Sequence, residues 1–277
     1  MDHADRLNGK SLPVDAPDAI GKTRAGCGIA FMAKASEPGR AKTRLVPPLT
    51  FEEAAALNTA FLQDVADNVL AAAKHAGIAG YAAFGPPGSE AFFQRTLPPA
   101  FGLIEAWLPD FGDCLFHTIE QIFARGHGGA VVLNADSPTL PTEFLVETAE
   151  VLARPGDRAV LGPSSDGGYY LLGLKTAHRH MFHDIAWSTE RVAARTLERA
   201  HEIGLDMHRL PVWYDVDDVD DLTRLYVDLD GAATRRPLDH DAPHRGSHTA
   251  AFLNRLWHDR DFHHRAAGFL GAELLRV

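Results

Sequence analysis

Phe31-Met32-Ala33-Lys34-Ala35-Ser36-Glu37-Pro38-Gly39-Arg40-Ala41-Lys42-Thr43-Arg44-Leu45 is the stretch from which the fold can be read. It follows a short apolar run, Gly28 to Met32, with the composition of a buried strand, and it precedes a long helical pattern that starts near Thr50. A strand, a basic loop and a helix in succession make an anion site at the end of a sheet. Gly39 allows the backbone to approach a ligand, while Lys34, Arg40, Lys42 and Arg44 offer a polyphosphate charge-assisted donors from several directions. The spacing is not that of a Walker loop, and the same residues would also serve as a solvated basic turn.

Outward from the loop, strand and helix patterns alternate. Gly26 to Met32 reads as the first strand. Thr50-Phe51-Glu52-Glu53 reads as a capping box that opens a helix running to about His75. Ile78 to Phe84 is a second strand, followed by a Gly85-Pro86-Pro87-Gly88 turn and a short helix through Phe92 and Phe93; Leu103 to Leu108 is a third strand. An amphipathic helix then runs to Arg125. Gly129-Ala130-Val131-Val132-Leu133 is short, apolar and β-branched, as a strand covered on both faces must be. Beyond it come a helix at 142–153, strands at 159–162 and 169–174, a helix at 188–204 and a strand at 205–210. The alternation predicts an α/β sandwich around a mostly parallel sheet.

The sequence divides into three parts: a polar N-terminal arm at 1–24, a catalytic domain at 25–230 and a His-rich appendage at 231–277. In the appendage, His240, His244 and His248 sit four apart, but Pro243 and Gly246 interrupt any helix that would align them on zinc. A surface tail with one apolar-faced helix, Phe252 to Leu256, is expected instead. The net charge of −10 excludes a nucleic-acid backbone as the main partner. No apolar run reaches the length of a membrane span, and the leader lacks the core of a signal peptide. Two cysteines, Cys27 and Cys114, supply neither a disulfide framework nor a metal spacing. Together these predict a soluble, cytoplasmic protein.

Asn134-Ala135-Asp136-Ser137-Pro138 follows the most strand-like run, at the edge where ligands bind in open α/β sheets. Asp136 would either serve a site there or cap the next helix. A second acidic cluster, Asp215-Val216-Asp217-Asp218-Val219-Asp220-Asp221, has later members suited to opening a helix and an earlier pair with no such role. One carboxylate from each cluster would suit Mg2+ (or Mn2+), which takes one or two carboxylates alongside waters and phosphates. Asp166-Gly167-Gly168 would either accept hydroxyl hydrogen bonds or form a tight hairpin turn. Trp187 and Trp213 would either line a pocket or pack in the core.

The basic loop, the 134–141 segment, Gly162-Pro163-Ser164-Ser165-Asp166-Gly167-Gly168-Tyr169-Tyr170, Trp187-Ser188-Thr189 and Trp213-Tyr214-Asp215-Val216-Asp217 occur in this order. Together they resemble the GT-A-like bacterial transferases known as the arsenosugar-biosynthesis type of glycosyltransferase, over residues 26 to 225. That family belongs to the nucleotide-diphospho-sugar transferase superfamily. The resemblance implies a Rossmann-like GT-A three-layer sandwich, a nucleotide in the loop after the first strand and a metal-binding aspartate at Asp136. It implies a second metal carboxylate at Asp217, with Asp215 as substitute, and catalytic roles for Asp136, Asp166 and Asp217. Asp166, Gly167, Gly168 and Tyr169 would form the acceptor or sugar pocket. Asp218-Val219-Asp220 stands where the superfamily usually has Thr-Pro-Glu, which leaves the choice between Asp215 and Asp217 open.

Three activities are compatible with these motifs. One is glycosyl transfer from a nucleotide sugar to a small acceptor, which the Asp-Gly-Gly-Tyr-Tyr segment favours. Another is nucleotidyl transfer from a triphosphate to a phosphate- or phosphonate-bearing molecule with release of pyrophosphate, which the Lys-Thr-Arg-Leu ending of the loop favours. The last is a non-catalytic nucleotide-binding module, against which the joint presence of the aspartates and the cationic loop counts.

Overall fold

The computed structural model describes residues 26–232 and 242–267; the expected arm at 1–24, and His240 with it, lies outside the described residues. The sheet holds β1 (Cys27–Lys34), β2 (Ile78–Gly85), β3 (Gly102–Glu105), β4 (Gly129–Leu133), β5 (Arg158–Pro163), β6 (Tyr169–Leu174) and β7 (Asp206–Arg209). Its order is β3-β2-β1-β4-β6-β5-β7. All neighbours run parallel except β6, which is antiparallel to both β4 and β5. The helices are α1 (Phe51–Ala72), α2 (Glu90–Thr96), α3 (Phe111–Ala124), α4 (Thr142–Ala153), α5 (Val192–Glu202), α6 (Val219–Ala232), α7 (Ser247–Trp257) and α8 (Arg260–Ala266).

Strands β1 and β4 are buried nearly throughout because helices cover both faces. Ile29, Phe31 and Leu133 pack with residues of α1 and α4 on one face; Ala30, Val132 and Leu172 pack with Leu115 and Ile119 of α3 on the other. No helix among the described residues is long and apolar enough to cross a membrane.

The capping box forms as the sequence predicts. The Thr50 hydroxyl accepts from the Glu53 amide at 3.1 Å, and the Glu53 carboxylate accepts from the Thr50 amide at 2.8 Å. This fixes where α1 starts and so where the basic loop must end. Two of the element bounds that differ from expectation have a visible consequence or cause. Strand β3 stops at Glu105, leaving Trp107 and Leu108 half exposed beyond it. Helix α5 starts at Val192 rather than Ser188, because Ser188 has a left-handed backbone (φ 63°) and Thr189 turns its hydroxyl back to the Ala186 carbonyl.

The C-terminal segment forms the apolar-faced helix expected over Phe252 to Leu256, but it packs into the fold rather than lying on it as a surface tail. Among its described residues, α7 and α8 bury Leu253, Leu256, Trp257 and Phe262 in one cluster with Leu45, Leu57, Phe61 and Tyr214. Burying each of these leucine and phenylalanine side chains stabilises the fold by about 1.5–3 kcal/mol. Asp64 of α1, fully buried, accepts from the backbone amides of His248 and Thr249 at 2.9 and 2.7 Å, so one helix caps the start of another. Arg265 of α8 pairs with Glu53 at 2.6 Å and donates to the Pro48 carbonyl, bracing the exit of the basic loop.

Candidate active site

The basic loop leaves β1 in a tight turn, with Arg40 and Ala41 amides donating to the Glu37 carbonyl and Gly39 at φ 76°. Buried Ala41 and Leu45 anchor it, and the Asn58 amide of α1 donates to Ser36 at 2.9 Å. Between the anchors, Lys42 takes a left-handed backbone (φ 49°), uncommon for a residue with a side chain. Its side chain is only 6% exposed and turns inward across the Phe61 ring.

The Lys42 ammonium meets three oxygens there: Asp136 Oδ1 at 2.7 Å, the Val216 carbonyl at 2.5 Å and Asp217 Oδ1 at 3.5 Å. Asp136 and Asp217 lie 81 positions apart in the chain, and the backbone joins them. The Val216 amide donates to the Asp136 carbonyl at 2.9 Å, and the Ser137 hydroxyl donates to the Tyr214 carbonyl at 2.8 Å. Arg44 stands 3.7 Å from Asp217 and is largely exposed. Lys34 lies over the Trp107 ring. Arg40 does not join this group: it points to solvent and pairs with Glu37 of its own turn.

Asp215 is partly buried, and its carboxyl is pushed up to about 7, first by burial and then by the charges of Asp166, Asp217 and Asp136. Four carboxylates therefore crowd one corner of the sheet. Asp218 and Asp221 play the structural part expected of them: both accept backbone amides at the start of α6. Of the two expectations for Asp166-Gly167-Gly168, the tight turn forms. Asp166 accepts from the Gly168 amide at 2.8 Å, and Gly167 has φ 91° with the Glu190 carbonyl 2.1 Å from where a Cβ would be. No larger residue fits at Gly167.

Beside the carboxylates a cavity of about 510 Å³ opens over the ends of β1, β2, β4 and the start of β6. Lys34, Asp136 and Tyr169 line it, as do Asn134, Trp107, Phe111 and Cys114, which the sequence reading did not assign. Trp107 lies against the Gly85 backbone, where a Cβ would come within 2.1 Å of its ring. The signal available in the sequence was a tryptophan beyond the end of a short strand. Trp187 meets Phe111 and Tyr169 edge-on; Trp213 packs against Phe144 and Tyr214.

Asp136 and Asp217 offer oxygen donors converging on a single cationic group, a donor set that suits a hard divalent cation. Among the described residues no three or more His, Cys, Asp or Glu gather as a metal cage, and His244 instead donates its amide to the Thr139 carbonyl.

The sheet and its flanking helices make a Rossmann-like fold. Residues 68–189 match the family described as an uncharacterized protein conserved in bacteria, DUF2064. A crystal structure from Desulfovibrio desulfuricans G20, provisionally described as a nucleotide-diphospho-sugar transferase, is 28% identical, with a TM-score of 0.71 over 83% of this chain and 95% of that one. The 4-diphosphocytidyl-2C-methyl-D-erythritol synthase of Anaerococcus prevotii DSM 20548 shares the fold at 8% identity, with a TM-score of 0.50 over 75% of this chain and 99% of that one. No curated protein matches the chain. The motif resemblance thus holds at the level of the superfamily, and the chain is a transferase of that fold.

Proposed function

We propose that the protein is a metal-dependent transferase that moves a glycosyl group from a nucleoside diphosphate sugar to a small acceptor. The observation that carries this reading is the convergence of Asp136 and Asp217 on Lys42, with Asp136 also lining the cavity. Carboxylates held this close to a buried cation, beside a cavity with aromatic walls, suit a phosphate-bearing ligand with a ring attached. The D. desulfuricans relative supports a nucleotide sugar as donor.

In this reading Asp136 and Asp217, with Asp215 as substitute, hold Mg2+ or Mn2+. The metal, when bound, neutralises charge that develops on the departing diphosphate. Lys42 and Arg44 donate to the phosphates, with Lys34 at the cavity side. Trp107 and Phe111 cover the ring and exclude water. Asp166, on a turn that Gly167 lets lie against Glu190, accepts a hydrogen bond from an acceptor hydroxyl and orients it. Arg40 is left out of the phosphate set.

A second reading, nucleotidyl transfer, is favoured by one observation: Lys34, Lys42 and Arg44 together offer more positive charge than a diphosphate alone demands. The two are separated by product. With Mg2+, incubation with a panel of nucleoside diphosphate sugars is expected to yield free nucleoside diphosphate once an acceptor is added. Pyrophosphate released from a triphosphate and a phosphorylated acceptor, with nucleotide sugars inert, would overturn glycosyl transfer.

A further inference from the structure

Two of the residues that line the cavity carry a buried polar atom with no hydrogen-bond partner among the described residues. These atoms are Asn134 Oδ1 and the Tyr169 hydroxyl. Two other polar walls are committed: the Tyr170 hydroxyl donates to the Pro211 carbonyl at 2.9 Å, and Cys114 accepts from the Leu108 amide. Native proteins rarely leave such groups unpaired, and those that remain call for a ligand.

The backbone sets the two side by side. β4 and β6 are antiparallel with Leu133 opposite Leu171, and the Asn134 amide extends the ladder by donating to the Tyr170 carbonyl at 2.8 Å. Asn134 also precedes Asp136 by two residues, about 7 Å along an extended chain. A ligand whose phosphates lie at Asp136 and Lys42 therefore presents to Asn134 and Tyr169 the part next to its phosphates, which is a sugar ring. Hydroxyls suit both partners, since each donates and accepts and so satisfies an amide in either orientation as well as a phenol. Burial holds the Tyr169 hydroxyl neutral, leaving its proton available to donate.

We infer that Asn134 and Tyr169 form a sugar-reading pair that hydrogen-bonds the vicinal hydroxyls of the ring adjoining the phosphates. This rests on the nucleotide reading above. The ring is either the ribose of the nucleotide or the sugar carried on its diphosphate.

The test is calorimetric titration with Mg2+ present, using nucleoside diphosphates of the four bases, the 2′-deoxy form of the tightest binder and its diphosphate sugars. The wild type is expected to prefer ribose over deoxyribose, or nucleotide sugar over bare diphosphate, by roughly tenfold. Tyr169→Phe and Asn134→Ala are expected to abolish that preference while leaving affinity for the deoxy form, or for the bare diphosphate, within twofold of wild type. The first arm identifies ribose as the ring and the second the transferred sugar. Tyr169→Phe removes one atom, and with an unchanged melting temperature it carries the test alone should Asn134→Ala misfold. Binding with no preference in either arm, or a preference that survives Tyr169→Phe, overturns the pair and leaves the nucleotide reading intact. Failure of every nucleotide to bind overturns both.

Discussion

The two ends of the sheet carry cavities of similar size and opposite character. At the carboxyl ends of β1 and β4 a space of about 510 Å³ is lined by Asp136, which pairs with buried Lys42 and adds its charge to those of Asp166 and Asp217 around Asp215. At the amino ends a space of about 450 Å³ is lined by Gly26, Gly77, Gly128 and Gly129, with Glu150 and Lys175. There the glycines serve packing: a Cβ on Gly26 would come within 2.4 Å of the Gly77 carbonyl, and Lys175 is bonded to the Arg154 carbonyl. Volume does not distinguish the two. What distinguishes them is charge gathered against its own interest, since like carboxylates crowded beside a cavity oppose folding and are kept where a ligand needs them.

The largest effect that would test this contrast is on turnover. Asp136→Asn and Asp217→Asn are expected to lower the transfer rate on the order of a hundredfold or more, a loss of turnover beyond what their weakened ion pairs with Lys42 cost in stability. Lys175→Ala at the opposite end is expected to leave the rate within about twofold. Equal losses at both ends, measured by steady-state kinetics, would dissolve the distinction.

Next in size is nucleotide affinity within the loop itself. Lys42→Ala removes a charge-assisted bond worth about 1.5–3 kcal/mol, so binding should weaken roughly ten- to a hundredfold. Arg40→Ala, two residues away but turned to solvent and paired only with Glu37, should change affinity by less than about twofold. Titration calorimetry that finds the two variants alike would show that burial of Lys42 does not mark the phosphate site.

The smallest effect is on stability against pH without metal. Asp215 is raised from 3.8 to about 7 by burial and neighbouring charge, so the folded protein keeps this proton to higher pH than the unfolded chain does. The stability it contributes is fully present below the unfolded value and is lost as pH rises through 7. The melting temperature of Asp215→Asn should therefore rise relative to wild type on going from about pH 5 to about pH 8. A constant difference across that range would mean that neither burial nor its neighbours raise Asp215.

Local signals in the sequence were strong enough to fix much of the frame. Thr50 and Glu53 specify the start of α1 through their own hydrogen bonds, and the unbroken apolar run at 129–133 requires a strand covered on both faces. Strand β6 and helix α4 fall on the predicted bounds of 169–174 and 142–153. The acid and base residues of the corner were legible because charge is costly to gather. Less legible was what depends on distant contacts. The apolar stripe of α7 and α8 is spread among histidines and arginines, and nothing local says that Trp257 and Phe262 meet Leu45. Arg40 and Lys42 look alike in sequence; Lys42 enters the site because a left-handed turn and the anchors on either side, Ala41 and Leu45, direct it inward. Trp107, Phe111 and Asn134 come from three separate elements, and only the sheet order brings them to one cavity.

The account turns on Lys42, Asp136 and Asp217 acting as one phosphate-holding unit. The direct test is a double-mutant cycle of Lys42→Met and Asp136→Asn, read as affinity for the preferred nucleoside diphosphate with Mg2+ by titration calorimetry. Groups sharing one ligand are expected to be non-additive, with a coupling of about 0.5–3 kcal/mol. Losses that add within about 0.5 kcal/mol, or single variants that bind as the wild type does, would contradict it.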